Sequence, residues 1–308
     1  MKIIFFTGKG GVGKSTMSAA SAWQLSQTHR VLIVSLDPAH NLGDIFDVTL
    51  RDSATRFTDT LYLQEIDLKQ LSKEYLKREI SVLTNTYKYL QVLNLDNYFS
   101  VLKYSPGIEE YALLTSIEKI IRDERQFDYI VFDTPPTGLT LRFLALPRIT
   151  ITWIDRLIKI RRQILEKRYT IHRIRGPLSN EETLLEYSEK DDDVLNRLHT
   201  LQDNYEKLTA ILEGRDAFMA LVFNPDILSL KESLRLVEGM RELNLPLRLL
   251  INNKVTDTTE AIAGQVEQQM KEATDDVPLE RVPLSSSLPG GAAGTLYDIE
   301  TDISRHLL

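Results

Sequence analysis

The sequence contains no cysteine. A chain without thiols cannot form disulfides, thiolate zinc sites, cysteine-ligated iron–sulfur clusters or a cysteine nucleophile. It also lacks any window of roughly 18 apolar residues, the length that a membrane-spanning helix requires. No secretory leader is visible, because glycines interrupt the apolar start soon after Phe6. We therefore expect a soluble, cytoplasmic protein whose contact with a membrane is peripheral or made through a partner.

An excess of positive charge is also missing. The 308 residues include 37 Lys and Arg against 44 Asp and Glu, a net charge of −7. Bulk electrostatic attraction to nucleic acid is not expected at this charge, and we predict no nucleic-acid partner. The length suits one large domain or a domain with a sizeable insertion, and we treat residues 1–308 as a single domain.

Short apolar runs alternate with helix-patterned segments along the chain. The runs cover residues 2–7, 31–36, 129–132, 217–223 and 247–251. Helices are predicted from Lys14 to about Gln27 and over residues 228–243. Continuous apolar strands separated by helices are typical of a parallel sheet buried on both faces. The predicted fold class is α/β, with a mainly parallel, doubly wound sheet.

Two long, charged, helix-patterned stretches do not fit this sheet, at about residues 68–110 and 148–212. We predict that both are insertions that pack together as one helical subdomain. Their apolar residues recur at helical spacing: Leu71, Tyr75, Leu76, Ile80, Leu83, Tyr87 and Leu90, and then Ile154, Leu157, Ile158, Ile164 and Leu165. Such stripes either form core or line a groove for an apolar partner. The acidic run at 189–193 is predicted to be a solvated loop.

A glycine-rich loop stands between the first strand and the first helix. Residues 8–15 match the P-loop pattern G-x-x-x-x-G-K-[ST]. Glycines let backbone N–H groups turn toward phosphates, and the following helix directs its positive end at the same charge. Lys14 is expected to reach the β- and γ-phosphates, and Ser15 to ligate Mg²⁺. The predicted phosphate-binding residues are Gly8, Lys9, Gly10, Gly11, Val12, Gly13, Lys14, Ser15 and Thr16.

Two aspartates end strands near this loop. Asp133 follows the apolar run YIVF, which is the Walker B arrangement of an acid near Mg²⁺. Asp37 follows VLIVSL in the same way, and a carboxylate there can orient or deprotonate an attacking water. Either residue alone could be a helix cap or a turn residue. Their joint occurrence with a P-loop favours a site that hydrolyses a nucleoside triphosphate.

Several motifs resemble one family of P-loop proteins. The loop GKGGVGKS carries a second lysine, Lys9, as in the deviant Walker A group. The segment from Asp37 to Leu42 resembles the first switch of the ArsA-type ATPases, and the segment from Asp133 to Arg142 resembles their second switch. That family includes the arsenite-pump ATPase and the targeting ATPase for tail-anchored membrane proteins. Matches run in order over nearly the whole chain.

The resemblance implies specific roles. The ligands would be ATP and Mg²⁺, with Asp37 as catalytic base and with Ser15 and Asp133 at the metal. Lys9 would act across the interface of a homodimer. Asp226 and Asn253 would contact the nucleoside, with Asn252 as the alternative to Asn253, and Pro283 would lie in the loop beside the adenine. The client would be an apolar segment of a membrane protein.

Departures from the family leave alternatives open. Leu139 stands where the second switch usually has His, and the cysteines that bind zinc or arsenite in relatives are absent. The first alternative is the soluble motor subunit of an anion or arsenite efflux pump, partnered by a membrane subunit. A partition or septum-positioning ATPase is the second, although the segment 295–308 lacks the basic character of such proteins. Nitrogenase iron proteins share the loop but require cysteine ligands.

Overall fold

A computed structural model of the chain describes residues 1–38, 41–86, 105, 107–175, 179–180, 183–184, 188–284 and 295–308. All structural statements concern these residues. Ala39 and His40 of the first switch, and Tyr87 and Leu90 of the first insertion, lie outside the described residues.

The centre of the fold is an eight-stranded sheet in the order β10-β9-β8-β1-β5-β2-β4-β3. All neighbouring strands are parallel except the pair β3 and β4. The strands are β1 Lys2–Thr7, β2 Val31–Ser35, β3 Thr55–Arg56, β4 Leu61–Glu65, β5 Tyr129–Asp133, β8 Ala217–Phe223, β9 Leu247–Val255 and β10 Leu279–Pro283. The predicted mainly parallel α/β sheet is confirmed.

Helices connect the strands. They are α1 Lys14–Leu25, α2 Asn41–Phe46, α3 Leu68–Thr86, α4 Ile108–Asp123, α5 Thr137–Arg175, α6 Asp193–Leu212, α7 Ile227–Glu242 and α8 Glu260–Ala273. A two-stranded antiparallel ribbon, β6 Ser179–Asn180 and β7 Thr183–Leu184, lies between α5 and α6. A 3₁₀ turn, Ser304–His306, ends the described chain.

Burial follows from the apolar runs. Every residue of β2, β5 and β8 is buried, as expected for strands covered on both faces. Phe5 of β1 stacks on Phe132 of β5, with the ring centroids 4.9 Å apart. The strands β4 and β10 bury only part of their residues, in keeping with places at and next to the sheet edges. The carboxyl ends of β1, β2 and β5 therefore meet at one edge, where the glycine-rich loop begins.

The chain divides into two compact units, residues 1–144 with 213–308 and residues 145–212. In the larger unit, α3 packs beside α4, and Tyr75 stacks on Tyr111. In the smaller unit, α5 packs on α6. The joint helical subdomain of both insertions stays a prediction.

The apolar stripe predicted in the second insertion is partly buried and partly exposed. Ile154, Ile158 and Leu165 are buried in a cluster with Leu195 of α6, whereas Leu157 and Ile164 are exposed. The prediction of a solvated acidic run at 189–193 is wrong for Asp192. This carboxylate is 2 % exposed and pairs with Arg161. Its positive partner Arg161 on α5, which is remote in sequence, offsets part of the cost of burying this charge.

Candidate functional site

The glycine-rich loop joins β1 to α1 and takes its shape from tight contacts with the neighbouring strands. A Cβ on Gly8 would lie 2.1 Å from the carbonyl oxygen of Val222 in β8. Gly13, the N-cap of α1, has a φ of 96°, and a Cβ there would lie 2.3 Å from Nδ2 of Asn253. The glycines therefore leave the loop backbone open at the start of α1, as phosphate binding by N–H groups requires.

Lys14, Asp37 and Asp133 come together at the carboxyl edge of the sheet. Lys14 is the first residue of α1 and is 5 % exposed. Burial lowers the pKa of Lys14 below its ordinary value, while the Asp133 and Asp37 carboxylates act to raise it. The Lys14 ammonium also lies 3.5 Å from the carbonyl oxygen of Lys9. Lys14 is thus a buried cation in the first turn of α1, where the helix N-terminus also favours an anion.

Asp133 is the last residue of β5 and is fully buried. Neither of its oxygens has a hydrogen-bond partner of normal geometry within the described part of the chain. Burial raises the pKa of Asp133 to about 7, against the opposing effects of Ser15 and Lys14. Asp37 and Glu65 raise it further, which places Glu65 at the end of β4 near the site.

These residues fit a Mg²⁺ ion. Buried carboxylate oxygens without partners, next to a hydroxyl, are hard oxygen ligands of the kind that Mg²⁺ prefers. The described residues contain no cluster of three or more His, Cys, Asp or Glu side chains suited to a metal. Mg²⁺ is usually held by one or two protein oxygens together with substrate phosphates, and Asp133 and Ser15 match that pattern.

Strand β9 supports the loop from one side. The Asn253 amide donates to the carbonyl of Val12 at 2.8 Å, whereas the Asn252 amide donates to Glu267 of α8 at 2.7 Å. Of these two asparagines, Asn253 directs its side chain at the glycine-rich loop. Lys254 forms a bulge in β9, because its neighbours Asn253 and Val255 pair with two consecutive residues of β10. Its backbone is left-handed, with a φ of 62°. Its ammonium donates to the Gly11 carbonyl at 2.7 Å.

The other predicted nucleoside contacts lie near strand ends. Asp226 caps α7, with its carboxylate accepting from the N–H of Ser229 at 2.7 Å. Pro283 ends β10 and is exposed. The residues that follow, 285–294, lie outside the described chain. Among the described residues, no carboxylate forms an ion pair with Lys9, whose side chain is half-buried.

Sequence reasoning missed several supports of the site. The Asn224 amide, in the orientation that satisfies its neighbours, donates to Val12 at 3.2 Å. Thr134 donates to the Phe6 carbonyl at 2.7 Å, and Thr140 of α5 donates to the Pro135 carbonyl at 2.8 Å. The Thr134 bond attaches the segment after Asp133 to β1, and the Thr140 bond joins that segment to the first turn of α5. Both threonines belong to the quoted second-switch segment, but no residue pattern indicates the role of Asn224.

Comparison with known proteins gives a family. Residues 1–286 match the family described as anion-transporting ATPase. A protein of Aquifex aeolicus, provisionally named arsenical pump-driving ATPase 2, is 34% identical over 257 residues, which cover 83% of this chain and 80% of that protein. A Chlorobaculum tepidum protein with a similar provisional name is 30% identical over 84% of this chain, which spans only 62% of that relative. ATPase ASNA1 homolog 1 of Paramecium tetraurelia is 29% identical over 83% of this chain and 75% of its own length.

Proposed function

This chain belongs to the anion-transporting ATPase family, and on that premise we propose that it is a Mg²⁺-dependent ATPase whose dimer couples hydrolysis to the handling of an apolar membrane-protein segment. Its ATPase activity follows from family membership. The client, the dimer and the roles of individual residues are our proposals.

The convergence of Lys14, Asp37 and Asp133 at one sheet edge is the observation that carries the proposal. Lys14 binds the β- and γ-phosphates, while backbone N–H groups of the loop orient them. Asp37 accepts the proton of the attacking water. Asp133 and Ser15 hold Mg²⁺, which supplies positive charge that stabilises the developing charge of phosphoryl transfer. We also assign contacts with the nucleoside to Asn253 and Asp226.

The dimer proposal rests on Lys9. Lys14 already supplies one cation to the phosphates, and Lys9 forms no ion pair with a described carboxylate of its own chain. We assign its side chain to the nucleotide of the partner subunit. Sedimentation with ATP or a transition-state mimic should show a dimer that Lys9→Ala weakens. A protein that stays monomeric under both conditions would remove this role.

The client proposal rests on an apolar face of α5. Seven exposed residues, here called the exposed stripe, recur every three to seven positions over the helix: Ile149, Trp153, Leu157, Ile160, Ile164, Ile171 and Ile174. At 1.5 Å per residue these positions span about 37 Å, comparable to the roughly 30 Å of a membrane-spanning segment. No helix among the described residues is itself long and apolar enough to cross a membrane.

The pump-driving role in the names of two relatives supports the second candidate function. A pump motor would show ATPase activity that responds to a membrane subunit and not to an apolar segment. The absence of cysteine argues only against direct sensing of arsenite by thiolates. The names of the relatives reported above contain no partition or septum role.

Asp37→Asn tests the chemistry. We expect phosphate release to fall by roughly 10²–10⁴-fold with nucleotide binding retained, because the variant cannot accept the proton of water. Asp47→Asn is the matched control, since Asp47 is exposed and its φ of 54° suits asparagine. Undiminished turnover in Asp37→Asn would exclude Asp37 from the mechanism.

Co-expression with a tail-anchored protein tests the client. We expect the chain to retain the apolar C-terminal segment of that protein. Normal ATPase activity without any retention would favour the pump function.

A further inference from the structure

The part of α5 in the smaller unit is basic, although the whole chain is acidic. Residues 145–175 contain two acidic side chains, Asp155 and Glu166, whereas the chain as a whole has a net charge of −7. The basic residues in the same segment number nine: Arg148, Arg156, Lys159, Arg161, Arg162, Lys167, Arg168, Arg173 and Arg175. One helix therefore concentrates positive charge against the trend of the sequence.

The charges and the exposed stripe are arranged around α5 in a fixed order. At about 100° per residue, the exposed stripe covers roughly 100° of the helix circumference, well separated from the face that packs on α6. Arg156 and Lys167 project within about 60° of the centre of the stripe, whereas Lys159 projects about 110° from it. Both acidic residues project more than about 120° away. The face of α5 that carries the stripe therefore contains the basic residues Arg156 and Lys167 among its apolar residues, and Lys159 lies to one side of it.

Part of this positive charge is already paired within the smaller unit. Arg161 pairs with Asp192, and Arg162 lies 3.4 Å from Glu189. Arg156, Lys159 and Lys167 form no ion pair with the described residues and are exposed. Their side chains are long enough to extend their charges beyond the apolar atoms beneath them.

We propose that the outer face of α5 binds the surface of a membrane that contains anionic lipid. A helix with an apolar stripe, basic residues beside it and an exposed tryptophan matches a helix lying in the plane of a membrane interface. Trp153, 60 % exposed, sits in the stripe, and tryptophan is favoured at the level of the headgroups. The apolar residues enter the boundary of the acyl chains, while Arg156, Lys159 and Lys167 meet lipid phosphates.

An apolar client segment would account for the exposed stripe but not for the basic residues near it. A membrane-spanning peptide presents little negative charge to Arg156, Lys159 and Lys167, whereas a leaflet with anionic headgroups presents a continuous layer of it. The inference goes beyond the proposed function, because it concerns where the protein docks and requires no hydrolysis. The client segment and the membrane would contact the same stripe, so the protein docks on the membrane only while no client covers it.

Vesicle co-sedimentation of the full chain tests whether the basic residues of α5 bind anionic lipid. We expect binding to vesicles of phosphatidylcholine with about one third phosphatidylglycerol, little binding to pure phosphatidylcholine, and weakening with salt. The triple variant Arg156→Glu, Lys159→Glu, Lys167→Glu should bind at least about tenfold more weakly. The matched control reverses three exposed lysines elsewhere, Lys69, Lys231 and Lys271, and should bind like the wild type. Equal loss in both triple variants, or equal binding to neutral vesicles, would overturn the proposal.

Tryptophan fluorescence tests the stripe on the unaltered protein. The chain has two tryptophans, and Trp23 packs against Tyr297 with the ring centroids 5.0 Å apart. Anionic vesicles should shift the emission of the wild type to the blue, and Trp153→Phe should abolish the shift. An unchanged emission overturns the proposal. So does binding of an apolar peptide or self-association through this face without vesicle binding, and either result would leave the proposed ATPase function standing.

Discussion

Asp133 is a carboxylate held where water cannot solvate it. It is fully buried, its oxygens have no hydrogen-bond partner of normal geometry among the described residues, and burial raises its pKa to about 7. In the folded state the group therefore binds its proton more tightly than in the unfolded chain, where the pKa is near 3.8. A bound cation would stabilise the charged form of this carboxylate. Without a cation, the buried negative charge destabilises the folded protein.

The stability of the protein free of Mg²⁺ and nucleotide should reflect this. Between about pH 4 and pH 7 the unfolded state loses the proton before the folded state does, so the contribution of Asp133 to stability falls as pH rises. Asp133→Asn removes that dependence. We expect the stability difference between the variant and the wild type to grow by about 2 kcal/mol from pH 5 to pH 8 in urea unfolding. A constant difference across this range would contradict the prediction.

Lys254 shows what residue patterns do not reveal. Its left-handed backbone and its bond to Gly11 arise from a bulge opposite β10. The predicted fifth run ended at residue 251, because the polar residues Asn252, Asn253 and Lys254 interrupt its apolar character. The structure continues β9 to Val255. Asn253 and Lys254 contact the glycine-rich loop from the end of β9, and hydropathy alone cannot identify such residues.

At the scale of elements, the smaller unit depends on the contact between α5 and α6. Arg161 donates to both oxygens of Asp192, and the same carboxylate accepts from the N–H of Leu195 in the first turn of α6. Burial alone would raise the pKa of Asp192. The bonds from Arg161 and Leu195 outweigh it, and the pKa is lowered. This pair holds the α6 start against α5 beside the cluster of Ile158, Leu165 and Leu195.

Asp192→Asn should loosen this unit. The variant keeps a cap but removes the negative charge that faces the Arg161 guanidinium, 19 % exposed, and we expect a loss of about 2–4 kcal/mol. Asp191→Asn, one residue earlier on an exposed position, is the matched control. Hydrogen exchange over α5 and α6 is the measurement. Equal protection in the two variants would show that the pair contributes nothing to the unit.

The elements that the sequence predicted well are the fully buried ones. The apolar runs that become β1, β2, β5 and β8 were placed to within a residue or two. The strand β10 was missed because its buried Glu280 and Val282 alternate with exposed residues over only five positions. Helix α8 was missed because only Ala263, Val266 and Met270 are buried on an otherwise polar helix. Partial burial weakens the pattern that prediction relies on.

At the scale of the whole molecule, the last described segment returns to the beginning of the chain. Gln24 of α1 accepts from the N–H groups of Ile303 and Ser304 and donates to the Thr301 carbonyl. Tyr297 stacks on Phe46 of α2 at 4.4 Å between ring centroids and also contacts Trp23 and Phe57. Helix α2 therefore contacts both α1 and the last described segment.

Tyr297→Ala should therefore destabilise the protein by about 3–5 kcal/mol, since it removes a buried ring shared by three aromatic neighbours. Leu296→Ala, at the 43 % exposed neighbouring position, should change stability little. Thermal unfolding of both variants measures the difference. Similar melting temperatures in the two variants would contradict a stabilising role for the aromatic cluster.

The residues that support the glycine-rich loop are synthesised long after the loop itself. Val12 and its partner Asn253 are 241 residues apart, and Gly11 and Lys254 are 243 apart. At about 5–20 residues per second, a ribosome needs about 12–48 s to synthesise the chain between them. For that interval the loop exists without the strand that holds it. A nascent chain cannot complete its nucleotide site early, and competence for ATP arrives with the last strands to be made.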